Sequence, residues 1–135
     1  MTEDELVEFI GGLDGVEVVV AGPDNGAPEA AWGDVFFTVT GQRMPFATIV
    51  KRDQPGDETS RLDRDGVFRV NIGIGRAALR ERFPGNDAET VDPAALDRLF
   101  PHPVYAGHGF VSVLNPDTTA AEVCQLVVAA HAREH

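Results

Sequence analysis

Cysteine occurs once, at Cys124, so the chain cannot close an internal disulfide. Its place in an apolar helical stretch reads as a small core residue rather than a reactive thiol. Lysine is equally scarce, with Lys51 alone, and Trp32 and Tyr105 are the sole representatives of their types. No apolar run approaches the roughly 20 residues of a membrane span. The acidic, amphipathic start lacks the basic segment and apolar centre of a signal peptide. A cytoplasmic protein with no membrane partner is expected. Repeats, low-complexity tracts and linkers are absent too. The 135 residues read as a single domain, 1–135, long enough to bury a core without a metal staple.

What is abundant is negative charge. The formal net charge is −11, and residues 1 to 34 hold nine Asp and Glu and no Lys or Arg. Residues 51 to 82 hold eight of the eleven basic residues against six acids, a balance of +2, which leaves −13 for the rest. Such a field repels phosphate backbones and acidic membranes, so no nucleic-acid partner is expected. The basic segment is either a solvated loop paired with nearby carboxylates or a local site for a small anion.

Thr2 and Glu5 spell a capping box, and Leu6, Phe9, Ile10 and Leu13 follow at helical spacing, which predicts a first amphipathic helix. Val16 to Ala21 reads as a strand and Gly22 to Ala31 as a surface loop. Val35 to Val39 and Phe46 to Val50 are apolar runs joined by Thr40-Gly41-Gln42-Arg43, a hairpin. Lys51 to Asp65 is too long for a tight turn and is either a mobile loop or a functional lid. A strand from Val67 to Ile72 leads into a helix from about Arg76 to Phe83. Asp92 with Pro93 reads as the start of a short helix through Leu99. Phe110 to Leu114 is the last strand. Thr119 with Glu122 opens the last helix, whose Val123, Leu126, Val127 and Ala130 share a face. Strands arriving as hairpins pair antiparallel. The expected fold class is α+β, a two-layer sandwich with the helices largely on one face.

The candidate site lies around Gly66 to Arg76. Arg69 and Asn71 alternate with Phe68, Val70 and Ile72, so they share one face of a strand. If that face is the solvent side they are ordinary; if it faces Trp32 and His102 they converge into a pocket. Gly73-Ile74-Gly75-Arg76-Ala77-Ala78 fits the spelling of a dinucleotide fingerprint, yet residues 86 to 93 are polar and turn-like where a second parallel strand is required. Two readings remain for Gly73, Gly75 and Arg76. One is an anion nest of free amides beside a guanidinium; the other is a strand-to-helix corner where glycines supply positive φ and close packing.

His102 is held between Pro101 and Pro103, which limits its backbone freedom. It suits a general base, a donor to a ligand, or a hydrogen bond tying a loop to the sheet. His102 and His108 lack the spacing of a helical metal site, and His131 and His135 at the chain's end read as solvated. Neither a metal nor a cofactor is expected. Trp32 is either packing at the sheet rim or a platform on which a ligand stacks. Ser60 and Ser112 lack the setting of an activated nucleophile, so binding is favoured over catalysis. Two functions compete. One is a domain holding a small anionic ligand among Trp32, Arg69, Asn71, Gly73, Gly75, Arg76, His102 and Tyr105. The other is a protein-interaction module or homodimer without turnover.

Five ordered blocks carry a resemblance: Ala27 to Asp34, Pro45 to Val50, Gly66 to Gly73, Pro101 to Tyr105 and Val111 to Pro116. Together they resemble a small, mostly actinobacterial family, the domain of unknown function 6194 family, over nearly the whole chain. The chain departs from the family pattern at Phe110, where tryptophan is usual, and at Asp65, where proline often precedes the glycine. The resemblance implies kinship and carries no established activity. Trp32-Gly33-Asp34 and Phe110 to Val113 also resemble the YjbR-like group, which implies a secretion-chaperone-like α+β fold. Some members of that group are described as DNA-binding, a role that the acidic balance here disfavours.

Overall fold

A computed structural model describes residues 1–84 and 91–134. The turn-like reading of residues 86 to 90 and the terminal His135 lie outside the described residues.

The first helix, α1 (Glu3–Gly11), begins with the capping box: the Glu5 amide donates to Thr2 Oγ1 at 3.1 Å and the Thr2 amide to Glu5 Oε1 at 2.9 Å. Three acids in its first turn face the positive end of the helix dipole. Leu6 and Ile10 are fully buried, with Phe9 and Leu13 packed beside them. A Cβ at Gly11 would lie 2.9 Å from Val18 Cγ2, so glycine there lets the helix settle onto the sheet.

Six strands follow among the described residues: β1 (Val16–Val20), β2 (Val35–Val39), β3 (Ala47–Val50), β4 (Arg69–Gly73), β5 (Phe100–Pro101) and β6 (Phe110–Leu114). They form one sheet in the order β1-β2-β3-β4-β6-β5, every neighbouring pair antiparallel. The hairpin from β2 to β3 is present, and β4 pairs directly with β6, so no parallel crossover links them. The helices α2 (Arg76–Arg82) and α3 (Ala120–Arg133) complete the second layer. Val35, Phe37, Ala47, Ile49, Val70, Ile72, Val111 and Val113 meet Leu6, Ile10, Val123, Val127 and Ala130 in one core. The α+β class and its antiparallel sheet follow from this arrangement. No helix among the described residues is long and apolar enough to cross a membrane.

The structure differs from these expectations in two places. The short helix expected from Asp92 to Leu99 is one turn only, with Asp92 Oδ1 taking the Ala94 amide at 2.9 Å. Leu96 then bridges Leu114, and Phe100–Pro101 joins β6, so sheet pairing overrides local helix propensity. The last helix opens at Thr119 as expected, although the Thr119 hydroxyl donates to Asp97 Oδ1 at 2.6 Å and caps no helix amide. The Thr118 hydroxyl donates to Asp97 Oδ2 at 2.6 Å, and this bond first, then that of the Thr119 hydroxyl and those of the Asp117 and Thr119 amides, holds the carboxyl well below the usual range. Finally, His131 is not simply solvated. Its ring meets Phe46 edge-on at 5.7 Å, and its Nε2 lies 2.6 Å from the Asp14 carbonyl oxygen.

Candidate functional site

On the sheet face away from the helices, the register builds two cross-strand rows. Asp34, preceding β2, continues the pairing next to Val50 and Arg69; Phe36, Thr48, Asn71, Ser112 and Phe100 form the second row. Both Arg69 and Asn71 are buried, at 1% and 3% exposure, so β4 is covered on both faces. This face is therefore not the solvent side: it meets His102, although not Trp32.

Every Arg69 nitrogen is engaged. Nε donates to Asn71 Oδ1 at 3.0 Å, and the two terminal nitrogens grip the Asp57 carboxylate at 3.0 and 2.5 Å. Ser60 Oγ accepts a further bond at 3.1 Å. Asn71 in turn accepts from Ser112 Oγ at 2.7 Å and donates to Thr48 Oγ1 at 3.0 Å. Burial alone would raise the Asp57 pKa, but the Arg69 fork outweighs it and the carboxyl sits below its ordinary value. The segment from Lys51 to Asp65 is therefore an ordered cover: Asp57 ties it to the sheet, the Leu62 amide donates to Asp53 Oδ1 at 2.8 Å, and Ser60 and Leu62 are buried.

His102 is 4% exposed, its backbone amide donating to Phe110 O at 3.0 Å. Its Nδ1 accepts the amides of Val104 and Tyr105, at 3.0 and 2.9 Å. That double acceptance removes the proton from Nδ1 and fixes it on Nε2. Burial, then the Arg69 charge, pushes the His102 pKa down to about 4. At neutral pH His102 is therefore uncharged, with Nε2–H as its donor. Arg69 Nη2 lies 3.3 Å from Nε2, so two N–H donors stand side by side.

These groups form one wall of a cavity of about 730 Å³ whose lining also includes Phe36, Met44, Phe46, Val50, Val104, Tyr105, Phe110 and Arg133. The Tyr105 ring lies 4.9 Å from the His102 ring, tilted by 49°. Of the residues singled out in the sequence, Arg69, Asn71, Gly73, His102 and Tyr105 share this cavity. Trp32, Gly75 and Arg76 are not part of its lining. Trp32 is partly exposed, with its indole N–H bonded to Ala27 O at 3.0 Å in its own loop.

The anion-nest reading of Gly73 to Arg76 loses most of its donors, because the amides of Gly73, Ile74 and Gly75 are already engaged. Gly73 N donates to Phe46 O, while Ile74 N and Gly75 N both donate to Gly109 O. The corner reading is the one observed: Gly75 has φ +96 and is closely approached by Arg133, whose Nη1 donates to Gly73 O at 3.0 Å.

Asp34, Asp57, Thr48 and Arg133 escaped the sequence reading. Thr48 carried a signal as a polar residue inside an apolar strand. Asp34 ended a block of the family resemblance, whereas Asp57 is one acid among several in a polar loop.

An antiparallel sheet with helices on one face and a buried polar network beside a cavity on the other defines a small α+β domain. The profile of a family of unknown function (DUF6194) matches residues 1–135, and the chain belongs to that family. No curated protein and no solved structure matches, and the YjbR-like resemblance is not confirmed.

Proposed function

We propose that this chain is a small-molecule binding domain whose ligand sets an acceptor oxygen, of a carboxylate or a carbonyl, against the N–H groups of Arg69 and His102. The supporting observation is that pair of buried donors in a cavity with largely apolar walls, the combination that orients small ligands. Asp57 already neutralises Arg69, so the ligand oxygen meets hydrogen bonds more than a bare charge. Binding is favoured over turnover because Nδ1 of His102 is fully used and the Ser60 and Ser112 hydroxyls belong to the Arg69 and Asn71 network. Small carboxylates and primary amides with a hydrophobic tail should raise the melting temperature, since binding to the folded state stabilises it. His102→Phe should remove most of that rise. A panel of such compounds that leaves the wild-type transition unmoved at millimolar concentration argues against this function.

The edge of β1 favours a second reading, a homodimer. Val18, Val19 and Val20 are 40%, 47% and 57% exposed, and among the described residues β2 is the one strand beside them. Gly15 O accepts from Thr40 N and Ala21 N donates to Asp34 O, so the odd-numbered residues point to β2 and Val16, Val18 and Val20 point outward. The Val16 amide is used by Leu13 O and the Val20 carbonyl by Asn25 Nδ2. A second copy paired antiparallel about Val18 would place those two satisfied groups opposite each other and join the remaining ones. Sedimentation should then show a dimer that Val18→Pro dissociates. A wild-type monomer at millimolar concentration rules the pairing out.

A further inference from the structure

Asp34 is 3% exposed, yet it lies on the cavity wall. Its Oδ1 accepts the Lys51 amide at 3.2 Å, and Oδ2 has no hydrogen-bond donor among the described residues. The cations next to it along the chain are drawn elsewhere: Lys51 Nζ pairs with Glu3 at 2.8 Å, and Arg52 donates to Glu29 O at 3.2 Å. A carboxylate 3% exposed whose one unpartnered oxygen keeps the accessible surface, in a chain of net charge −11, is an attractive seat for a positive ligand group.

From this geometry we infer that the cavity's ligand carries an ammonium group that donates to Asp34 Oδ2, in addition to the acceptor oxygen held by Arg69 and His102. The inference rests on the binding function proposed above and narrows it to a zwitterion. Register sets the spacing. Asp34 and Arg69 flank Val50 in one cross-strand row, so their Cα atoms are about 10 Å apart, two strand spacings. The Arg69 guanidinium is held at Asn71 and His102, so the separation suits an amine and a carboxylate several carbons apart rather than an α-amino acid. Burial supports the same conclusion from the protein's side: it raises the Asp34 pKa to about 6, and an ammonium neighbour would relieve the cost of the charged form.

The test uses three probes of one chain length on the full protein: 5-aminopentanoate, pentanoate and pentylamine, with affinities read from amide chemical shifts. The zwitterion should bind at least tenfold more tightly than pentanoate. In Asp34→Asn, which keeps an acceptor for the Lys51 amide, that ratio should fall to about one. Equal binding of 5-aminopentanoate and pentanoate to the wild type overturns the inference and leaves the binding function standing. If none of the three probes shifts cavity amides, both fall. The wild-type comparison decides the matter even if the variant folds poorly.

Discussion

Asp57→Ala should destabilise the protein by about 3–5 kcal/mol, the cost of leaving one member of a buried ion pair without its partner. Arg69 is the largest of the fully buried side chains, and Asp57 supplies the acceptors for both terminal nitrogens. A guanidinium does not lose its proton at accessible pH, so the variant must either keep a bare cation in the interior or open the cover to admit water. Urea unfolding of the variant would show a lower midpoint. Arg69→Met combined with Asp57→Ala should recover a large part of the loss, because the charge is then gone and the space is filled. A single variant within 1 kcal/mol of wild type would show that water already solvates the pair. The pH dependence has a definite sign. Asp57 is depressed below 3.8 in the folded state, so its contribution is present above that value and disappears as pH falls through the folded pKa.

Gly109→Ala should cost about 3 kcal/mol or more, from a strained backbone and an unavoidable collision. Its φ is +83, and a Cβ there would stand 2.4 Å from the Gly75 carbonyl carbon and 2.6 Å from Arg76 N. Those atoms are backbone and already fixed by two amides converging on Gly109 O. Gly41→Ala is the natural control: its φ is +93 but nothing lies within 4 Å, so only the conformational cost of about 1–2 kcal/mol applies. Thermal unfolding of the two variants separates these contributions. Equal losses would mean that the corner relaxes without resistance.

The local chemistry of the chain was legible where one residue type answers one requirement. Thr2 and Glu5 announced α1, and alternation in β2, β3, β4 and β6 placed Arg69 and Asn71 on a common face. The antiparallel order followed from short connections. Illegible features depended on contacts distant along the chain. β5 is too short to show alternation, and its pairing with β6 gives the Asp92 to Leu99 stretch an extended path that propensity argues against. Asp57 meets Arg69 only because a whole loop folds back, and nothing in its neighbours distinguishes it from Asp53 or Asp63. The spelling of Gly73 to Arg76 concealed that Gly109 O takes the Ile74 and Gly75 amides and Phe46 O that of Gly73. For Trp32, a bond within its own loop decided a position that hydrophobicity left open.

The sheet ends differently on its two sides. At the β5 side, His102 N turns inward to Phe110 O, so alternation directs the nitrogen of Pro101 outward, where it has no hydrogen to donate. That side cannot extend a ladder, while the β1 side offers open donors and acceptors. Self-association through strands therefore has a stopping rule written into its geometry. If two copies pair through β1 as proposed, the two-fold union would consume the one open border of each, and linear growth into fibres would find no second point of attachment.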